Sequence, residues 1–183
     1  RLLMRRITES VLNHDGASIT ALFARQTGKS EALASLVPGL CLVLPALGRR
    51  YPLDKRVGQY GRGFWIAIFA PVKEKAGLIF DRVRERAEMK EVKESFYASP
   101  SFGVRMTDPA VSRGDMVAWS NGSKCVIRTA SENVNSEGDT YDLVIIDEAQ
   151  IVSTKKVEKE ISPMLTKNMG TMVSIGTAYM SRN

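Results

Sequence analysis

DLVIIDEAQ, residues 142–150, combines a short, wholly apolar run with two adjacent carboxylates. The run Leu143–Ile146 is apolar at every position, which is typical of a strand buried on both faces of a parallel sheet. Asp147 and Glu148 follow at the end of that strand, where open α/β sheets bind their ligands. Asp147 is suited to hold the water shell of Mg²⁺, and Glu148 to polarise an attacking water. The alternative is an Asp-Glu pair that only caps the next helix.

A second motif, FARQTGKS, lies far upstream at residues 23–30. A phosphate-binding loop has the pattern G-x-x-x-x-G-K-[ST] between a strand and a helix, and Gly28, Lys29 and Ser30 match its end. The amides around Gly28 would surround phosphates. Lys29 would place a cation on the β- and γ-phosphates, and Ser30 would give its hydroxyl to Mg²⁺. Phe23 replaces the leading glycine, so an accidental GKS at a helix start is the alternative.

The remaining segments alternate between strand and helix patterns. The predicted strands are Ser18–Ala24 and Phe64–Ala70, both buried, then Met116–Ser120, Lys124–Thr129, Leu143–Ile146 and Met172–Ile175. The predicted helices are Arg1–Asn13, a helix from Lys29 that becomes a kinked, buried pair over Leu33–Leu47, and Lys73 to about Phe96. An Asn-Gly turn at 121–122 predicts a hairpin. The alternation predicts a three-layer α/β fold with a mainly parallel central sheet. With the two phosphate-site motifs, the expected fold is a P-loop NTPase of the ASCE or RecA-like type.

Length and composition fit a single globular domain over residues 1–183, and the two motifs make it an ATPase domain. Apolar residues make up 44% and charged residues 25%, as in ordinary soluble proteins. Cys41 and Cys125 lie far apart within apolar runs, which predicts two buried thiols rather than a zinc site or a disulfide. The apolar run Leu33–Leu47 is short for a bilayer and contains two prolines, so we expect no membrane association.

A basic stretch, RRYPLDKRVGQYGR, occupies residues 49–62 and holds most of the net charge of +6. Tyr51 and Tyr60 are interleaved with the basic residues. A basic loop that carries aromatic residues suits the backbone of DNA. The alternatives are a solvated loop and a contact with a neighbouring subunit. The charged residues are Arg49, Arg50, Lys55, Arg56 and Arg62, against Asp54.

The two phosphate-site motifs resemble those of the ATPase domain of the large terminase subunit of tailed bacteriophages. That family commonly lacks the leading glycine and carries Arg-Gln in the loop, as this chain does at Phe23, Arg25 and Gln26. The resemblance extends over most of the chain. It rests on RQTGKS at 25–30, APVKEKA at 70–76, NGS at 121–123, LVIIDEAQ at 143–150, and SIGTA at 174–178, the position of the motif that couples hydrolysis to DNA movement.

The resemblance implies a Mg²⁺-dependent ATP hydrolase that drives double-stranded viral DNA into a procapsid. It also implies a homo-oligomeric ring, a pentamer, docked on the portal protein, with the small terminase subunit as a further partner and the host cytoplasm as its location. ATP-binding residues would be Arg25, Gln26, Thr27, Gly28, Lys29, Ser30, Glu31 and Thr177. Glu148 and Lys29 would be catalytic, and Ser30 and Asp147 would bind Mg²⁺. The family usually carries a nuclease domain after the ATPase, and we expect this chain to be an N-terminal fragment without it.

One feature of the family, an arginine, is displaced in this chain. Many relatives have Arg-Gly before the acidic strand, and that arginine acts on a neighbouring subunit's site. Glu137 and Gly138 stand there in this chain. Arg128, reaching a neighbour, and Arg25, acting in its own site, are therefore the candidate catalytic arginines. Adenine contacts are expected near Arg1–Thr8.

Two other functions remain open on the sequence. A helicase-like or other DNA-stimulated P-loop ATPase would share the acidic motif and the later GT-containing motif. The Arg-Gln before Gly28, and the lack of an obvious second motor lobe, favour the terminase interpretation. A nucleotide-binding assembly module that switches without turnover belongs to a different class. Glu148 argues against it, because a pure switch needs no carboxylate to polarise water.

Overall fold

The computed structural model describes residues 1–24, 28–99, 102, 104, 115–130 and 139–177. A single sheet of six strands forms its centre, in the order β1-β6-β5-β2-β4-β3. All neighbours are parallel except β3 and β4, which form the hairpin predicted from the Asn-Gly turn. The mainly parallel sheet is therefore confirmed. The strands are β1 (Ser18–Phe23), β2 (Trp65–Ala70), β3 (Met116–Ala118), β4 (Lys124–Thr129), β5 (Leu143–Asp147) and β6 (Thr171–Thr177).

Helices cover both faces of this sheet, which confirms the three layers. Three long helices pack on one face: α1 (Leu2–Asn13), α2 (Lys29–Arg50) and α3 (Lys73–Ala87). Shorter turns follow in the chain: a 3-10 turn at Gly58–Arg62, α4 (Lys90–Val92), a π turn at Lys93–Tyr97, a 3-10 turn at Ala149–Ile151, α5 (Thr154–Lys156), a π turn at Val157–Ile161 and α6 (Pro163–Thr166). The turns after β5 cover the other face.

Strand β2 is buried on both faces of the sheet. Its side chains alternate, so Ile66 and Ile68 join the core beneath α1–α3, while Ala67 and Phe69 join the core beneath the turns after β5. All four side chains are fully buried. A strand that is apolar on both faces is expected when helices lie above and below a parallel sheet.

Helix α2 corrects one prediction. The kinked pair expected over residues 33–47 is one continuous helix with Pro38 and Pro45 inside it. Each proline removes a backbone hydrogen bond, but α2 is largely buried in the core, and packing stabilises helices more than local propensity does. Among the described residues, α2 is the helix long and apolar enough to cross a membrane. Its burial inside the domain is that of a core helix.

Two further elements differ from their predicted form. Helix α3 ends at Ala87 rather than continuing to near Phe96, because Met89 has an extended backbone (φ −58°, ψ 146°) that interrupts it. Helical turns resume from Lys90 to Tyr97, whose hydroxyl donates a hydrogen bond to the Ala87 carbonyl at 2.9 Å. Strand β1 was predicted to be buried, yet Ser18, Thr20 and Leu22 are exposed. The physical reason is its position, because β1 pairs with β6 alone among the described residues and so forms an edge of the sheet.

Candidate nucleotide-binding site

The carboxyl ends of β1, β6 and β5 lie side by side. In the parallel ladders Phe23 aligns with Thr177, and Asp147 aligns with Ile175. The phosphate-loop motif follows β1 and the acidic motif ends β5, so this arrangement brings both motifs to the same edge of the sheet. Open α/β sheets bind their ligands at this edge.

Lys29 and Asp147 meet at the centre of this edge. The Lys29 Nζ lies 2.6 Å from the Asp147 Oδ1, with side-chain exposures of 15% and 8%. The ammonium nevertheless lies off the hydrogen-bonding directions of that oxygen, since among the described residues Oδ1 has no hydrogen-bond donor and is fully buried. We therefore describe the contact as an ion pair. A buried carboxylate oxygen without a hydrogen bond is a ligand that Mg²⁺ would fit.

The start of α2 fits a phosphate group. Gly28 caps the helix in the left-handed region with φ +77°, which a residue with a side chain rarely adopts. Among the described residues, apart from the chain neighbours and the backbone of α2, no atom lies within 4 Å of a Cβ built on Gly28. Lys29 and Ser30 occupy the first turn of α2. The unpaired amides and the dipole of a 22-residue helix favour an anion there.

Glu148 has an unusual backbone. Its φ of +51° and ψ of +43° place a residue other than glycine in the left-handed region. The Ile151 amide donates a hydrogen bond to the Glu148 carbonyl at 2.9 Å and closes the tight turn that follows. Such strain persists only where the surrounding structure enforces it, and it clusters at functional sites. The predicted catalytic carboxylate is the strained residue of this edge.

The remaining predicted nucleotide contacts are placed unequally. Thr177 ends β6 beside Phe23, close to the start of the phosphate loop. The Glu31 carboxylate pairs with Arg86 and lies 3.7 Å from Arg82, so it is engaged with α3. The predicted contacts Arg25, Gln26 and Thr27 lie outside the described residues, as do Glu137 and Gly138.

Arg128 is held within its own chain. It lies on β4, which is separated from β5 by β2, and its Nη2 is 2.5 Å from the Asp139 Oδ2. The Tyr141 hydroxyl donates to the same oxygen at 2.8 Å. Partial burial would raise the pKa of Asp139, but these two hydrogen bonds lower it. The candidate arginine is thus not brought to Lys29 and Asp147, and its role as a finger stays a prediction.

A cavity of about 820 Å³ adjoins the start of α2. It is a cleft open to solvent, lined by the start of α1, by β1 and by Gly28 and Ala32. The sequence predicted adenine contacts near residues 1–8, and residues 1–6 line this cavity. Burying an adenine base requires a partly apolar space beside the phosphates, and the position and size of the cavity suit one.

The basic stretch divides into two groups. Arg49 donates to the Asn121 carbonyl at 2.7 Å and to the Gly61 carbonyl at 3.2 Å. Arg62 pairs with Asp142 at 2.7 Å and lies 4.4 Å over the Trp65 ring. These two arginines are therefore part of the fold. The exposed Arg50, Lys55 and Arg56 have no carboxylate partner among the described residues; Arg50 ends α2, and the other two follow it in the chain.

Asp142 is a structural residue that the sequence did not single out. Its carboxylate is 2% exposed, and it accepts hydrogen bonds from the Trp65 amide, Arg62 and the Asn168 amide. Burial raises its pKa, although the Trp65 amide and Arg62 oppose that shift. The only signal in the sequence was its place directly before a buried strand, which indicates that its carboxylate is buried too. A buried carboxylate requires several hydrogen-bond partners.

Together, a mainly parallel sheet, a glycine-lysine-serine turn opening a helix, and a carboxylate on the adjoining strand end define a P-loop type α/β domain. No protein-family model matches the chain, and no curated protein matches it in sequence. Solved structures do. The fold is that of the ATPase domains of phage large terminases, which confirms the resemblance noted in the sequence at the level of the fold.

Three of these structures illustrate the similarity. The large terminase ATPase domain of Thermus phage P74-26 has a TM-score of 0.63 and 22% identity, and the match covers 94% of this chain and 64% of that one. An arginine-to-alanine mutant of the same domain has a TM-score of 0.61 and 21% identity, and the match covers 96% of this chain and 66% of that one. The HK97 bacteriophage large terminase has a TM-score of 0.60 and 14% identity, and the match covers 96% of this chain and 33% of that one. The chain thus spans about two thirds of the first two structures and one third of the third.

Proposed function

We propose that this chain is the ATPase domain of a viral DNA-packaging motor, in which ATP hydrolysis moves double-stranded DNA into a procapsid. The observation that carries the proposal is the contact of Lys29 with Asp147, next to Glu148, at the carboxyl edge of a sheet with a terminase ATPase fold. The donors of this edge suit a magnesium–nucleotide complex, and the strained glutamate suits turnover rather than mere binding.

Each residue has a separate task in this proposal. Lys29 neutralises charge on the β- and γ-phosphates, which is largest in the transition state. Ser30 and Asp147 hold Mg²⁺ through a hydroxyl and a carboxylate. Glu148 accepts a proton from the attacking water. ATP and Mg²⁺, when bound, supply the electrophilic γ-phosphate and the metal charge that offsets its negative oxygens.

The partners follow as proposals from the same interpretation. Arg50, Lys55 and Arg56 are the exposed cations that would contact the phosphates of double-stranded DNA. The motor would assemble as a homo-oligomeric ring on the portal protein, with the small terminase subunit as a further partner. It would work in the host cytoplasm. A finger from Arg128 would first have to leave Asp139, while Arg25 would act in its own site. Either would contribute by offsetting transition-state charge.

The test is steady-state release of phosphate from ATP, with and without double-stranded DNA. Lys29→Ala should lower the rate by about 10²-fold or more, because a preorganised cation is lost where charge develops. Lys90→Ala, at an 82% exposed helix lysine, is the matched control and should have no effect. Near-normal turnover in Lys29→Ala would refute the assigned site. A hydrolysis rate that is the same with and without DNA would refute the packaging-motor proposal. Absence of hydrolysis in the wild type would favour a nucleotide-binding module that switches without turnover.

A further inference from the structure

Gln150 lies against the backbone of Gly176. A Cβ built on Gly176 would be 2.9 Å from the Gln150 Oε1 and 3.8 Å from its Cδ. The carboxamide therefore occupies the space that any side chain at position 176 would need. Gln150 is exposed, and among the described residues its carboxamide forms no hydrogen bond.

This contact joins two parts of the proposed hydrolysis site. Gln150 is two residues after Glu148, in the 3-10 turn that follows the strained glutamate. Gly176 lies in β6, between the strand that leads into the phosphate loop and the strand that ends at Asp147. The same Cβ at 176 would also come within 3.1 Å of the Leu22 Cδ2 on β1. Gln150 thus rests where β6 meets β1.

We propose that Gln150 is a positioning residue for Glu148, and that Gly176 is a glycine because the carboxamide rests on its Cα. The inference rests on the proposed function. Seating Gln150 on β6 fixes the turn that carries the glutamate relative to Lys29 and Asp147. Small displacements of a catalytic group slow the reaction strongly, since a shift of about 1 Å can lower the rate 10²-fold. The contact acts on the geometry of hydrolysis and leaves nucleotide binding alone.

Gly176→Ala tests this directly. The new methyl group displaces the carboxamide, so kcat should fall by about 10- to 10²-fold while the Kd for ATP changes by less than about twofold. Gly39→Ala is the matched control, because a Cβ there meets no atom within 4 Å outside the helix's own backbone. A wild-type kcat in a folded Gly176→Ala variant would overturn the proposal. Absence of turnover in the wild type would instead overturn the proposed function.

Gln150→Ala decides the matter if Gly176→Ala lowers the melting temperature. Truncating this exposed side chain leaves the core intact, so the variant remains folded and should show the same loss of kcat at unchanged ATP affinity. The double variant should be no slower than the slower single variant, because both changes remove one contact. A wild-type kcat in Gln150→Ala, or losses that multiply in the double variant, would show that the contact does not position Glu148.

Discussion

At the scale of single residues, the Lys29–Asp147 ion pair joins the two side chains that nucleotide and Mg²⁺ would contact in the proposed complex. The two groups lie 2.6 Å apart and are largely buried, so each neutralises the other. In the proposed complex Lys29 contacts phosphate and Asp147 contacts Mg²⁺. The pair must therefore separate when the two ligands bind, and its strength is subtracted from the binding free energy.

This gives opposite expectations for Asp147→Asn with and without the metal. With EDTA present, the variant should bind ATP about tenfold more tightly than the wild type, because Lys29 is released to the phosphates. With Mg²⁺ present it should bind more weakly, because a metal ligand is lost. Titration of a fluorescent ATP analogue measures both. Glu148→Gln removes the same charge one residue away and is the control; an equal gain in both variants without metal would contradict the pairing.

Glu148→Gln should separate binding from turnover. The amide keeps the size of the side chain and cannot accept the proton of water, so hydrolysis should fall by roughly 10²–10⁴-fold. Binding of ATP with Mg²⁺ should persist, and bound nucleotide should be recovered as ATP after gel filtration. If the variant lost ATP binding as strongly as Asp147→Asn does in Mg²⁺, the division of roles between the two carboxylates would be wrong.

The sequence singled out Lys29 and Asp147 as site residues, but it did not predict their ion pair or the partners of the other candidates. Lys29 and Asp147 were predicted because each belongs to a local motif, and the parallel sheet brings such motifs to one edge. Glu31 stays a predicted nucleotide contact, and the sequence did not predict that its carboxylate pairs with Arg86 on α3. Arg128 pairs with Asp139. Both pairings depend on how separate segments pack, which periodicity and spacing do not specify.

At the scale of elements, the basic stretch of residues 49–62 contains cations that are bound within the fold and cations that could contact a partner. Arg49 and Arg62 bind backbone carbonyls and a buried carboxylate. Arg50 is the last residue of the 22-residue helix α2, so its backbone lies roughly 30 Å from the start of that helix. A DNA contact there would therefore act at a distance from the nucleotide.

Charge reversal in the loop should affect DNA and spare basal turnover. Arg50→Glu, Lys55→Glu and Arg56→Glu together should weaken binding to all DNA sequences alike. The slope of log affinity against log salt should fall by about one per lost phosphate contact. Arg49→Glu is the contrasting variant, and it should lower the melting temperature because it leaves two carbonyls without their donor. An unchanged salt slope in the triple variant would favour a contact between subunits.

The elements also show where pattern-based prediction stops. Strands β2 and β5 were predicted within one residue of their observed ends, because wholly apolar runs leave few alternatives. The prolines of α2 predicted a break, but burial keeps the helix continuous. Strand β1 is apolar at several positions and was therefore predicted to be buried. Its exposure results from strand order, which its own six residues do not encode.

At the scale of the whole molecule, β1 forms an edge of the sheet among the described residues, beside the candidate nucleotide site. Strand β1 leads into the phosphate loop and pairs with β6 on one side only among the described residues. Its unpaired backbone groups and the 72% exposed Leu22 lie together. An apolar edge strand is a template for pairing with another chain, and proteins commonly protect such edges with charge.

We therefore expect this 183-residue chain to self-associate through β1 as its concentration rises. Leu22→Lys should raise the concentration needed for association by about tenfold, because a charged side chain on an edge strand opposes pairing. Leu78→Lys is the matched control: Leu78 is 67% exposed but lies on α3, away from any strand edge. Sedimentation velocity over a concentration series measures both variants. If the wild-type chain stays monomeric throughout, or if both variants weaken association equally, the edge of β1 is not the surface that associates.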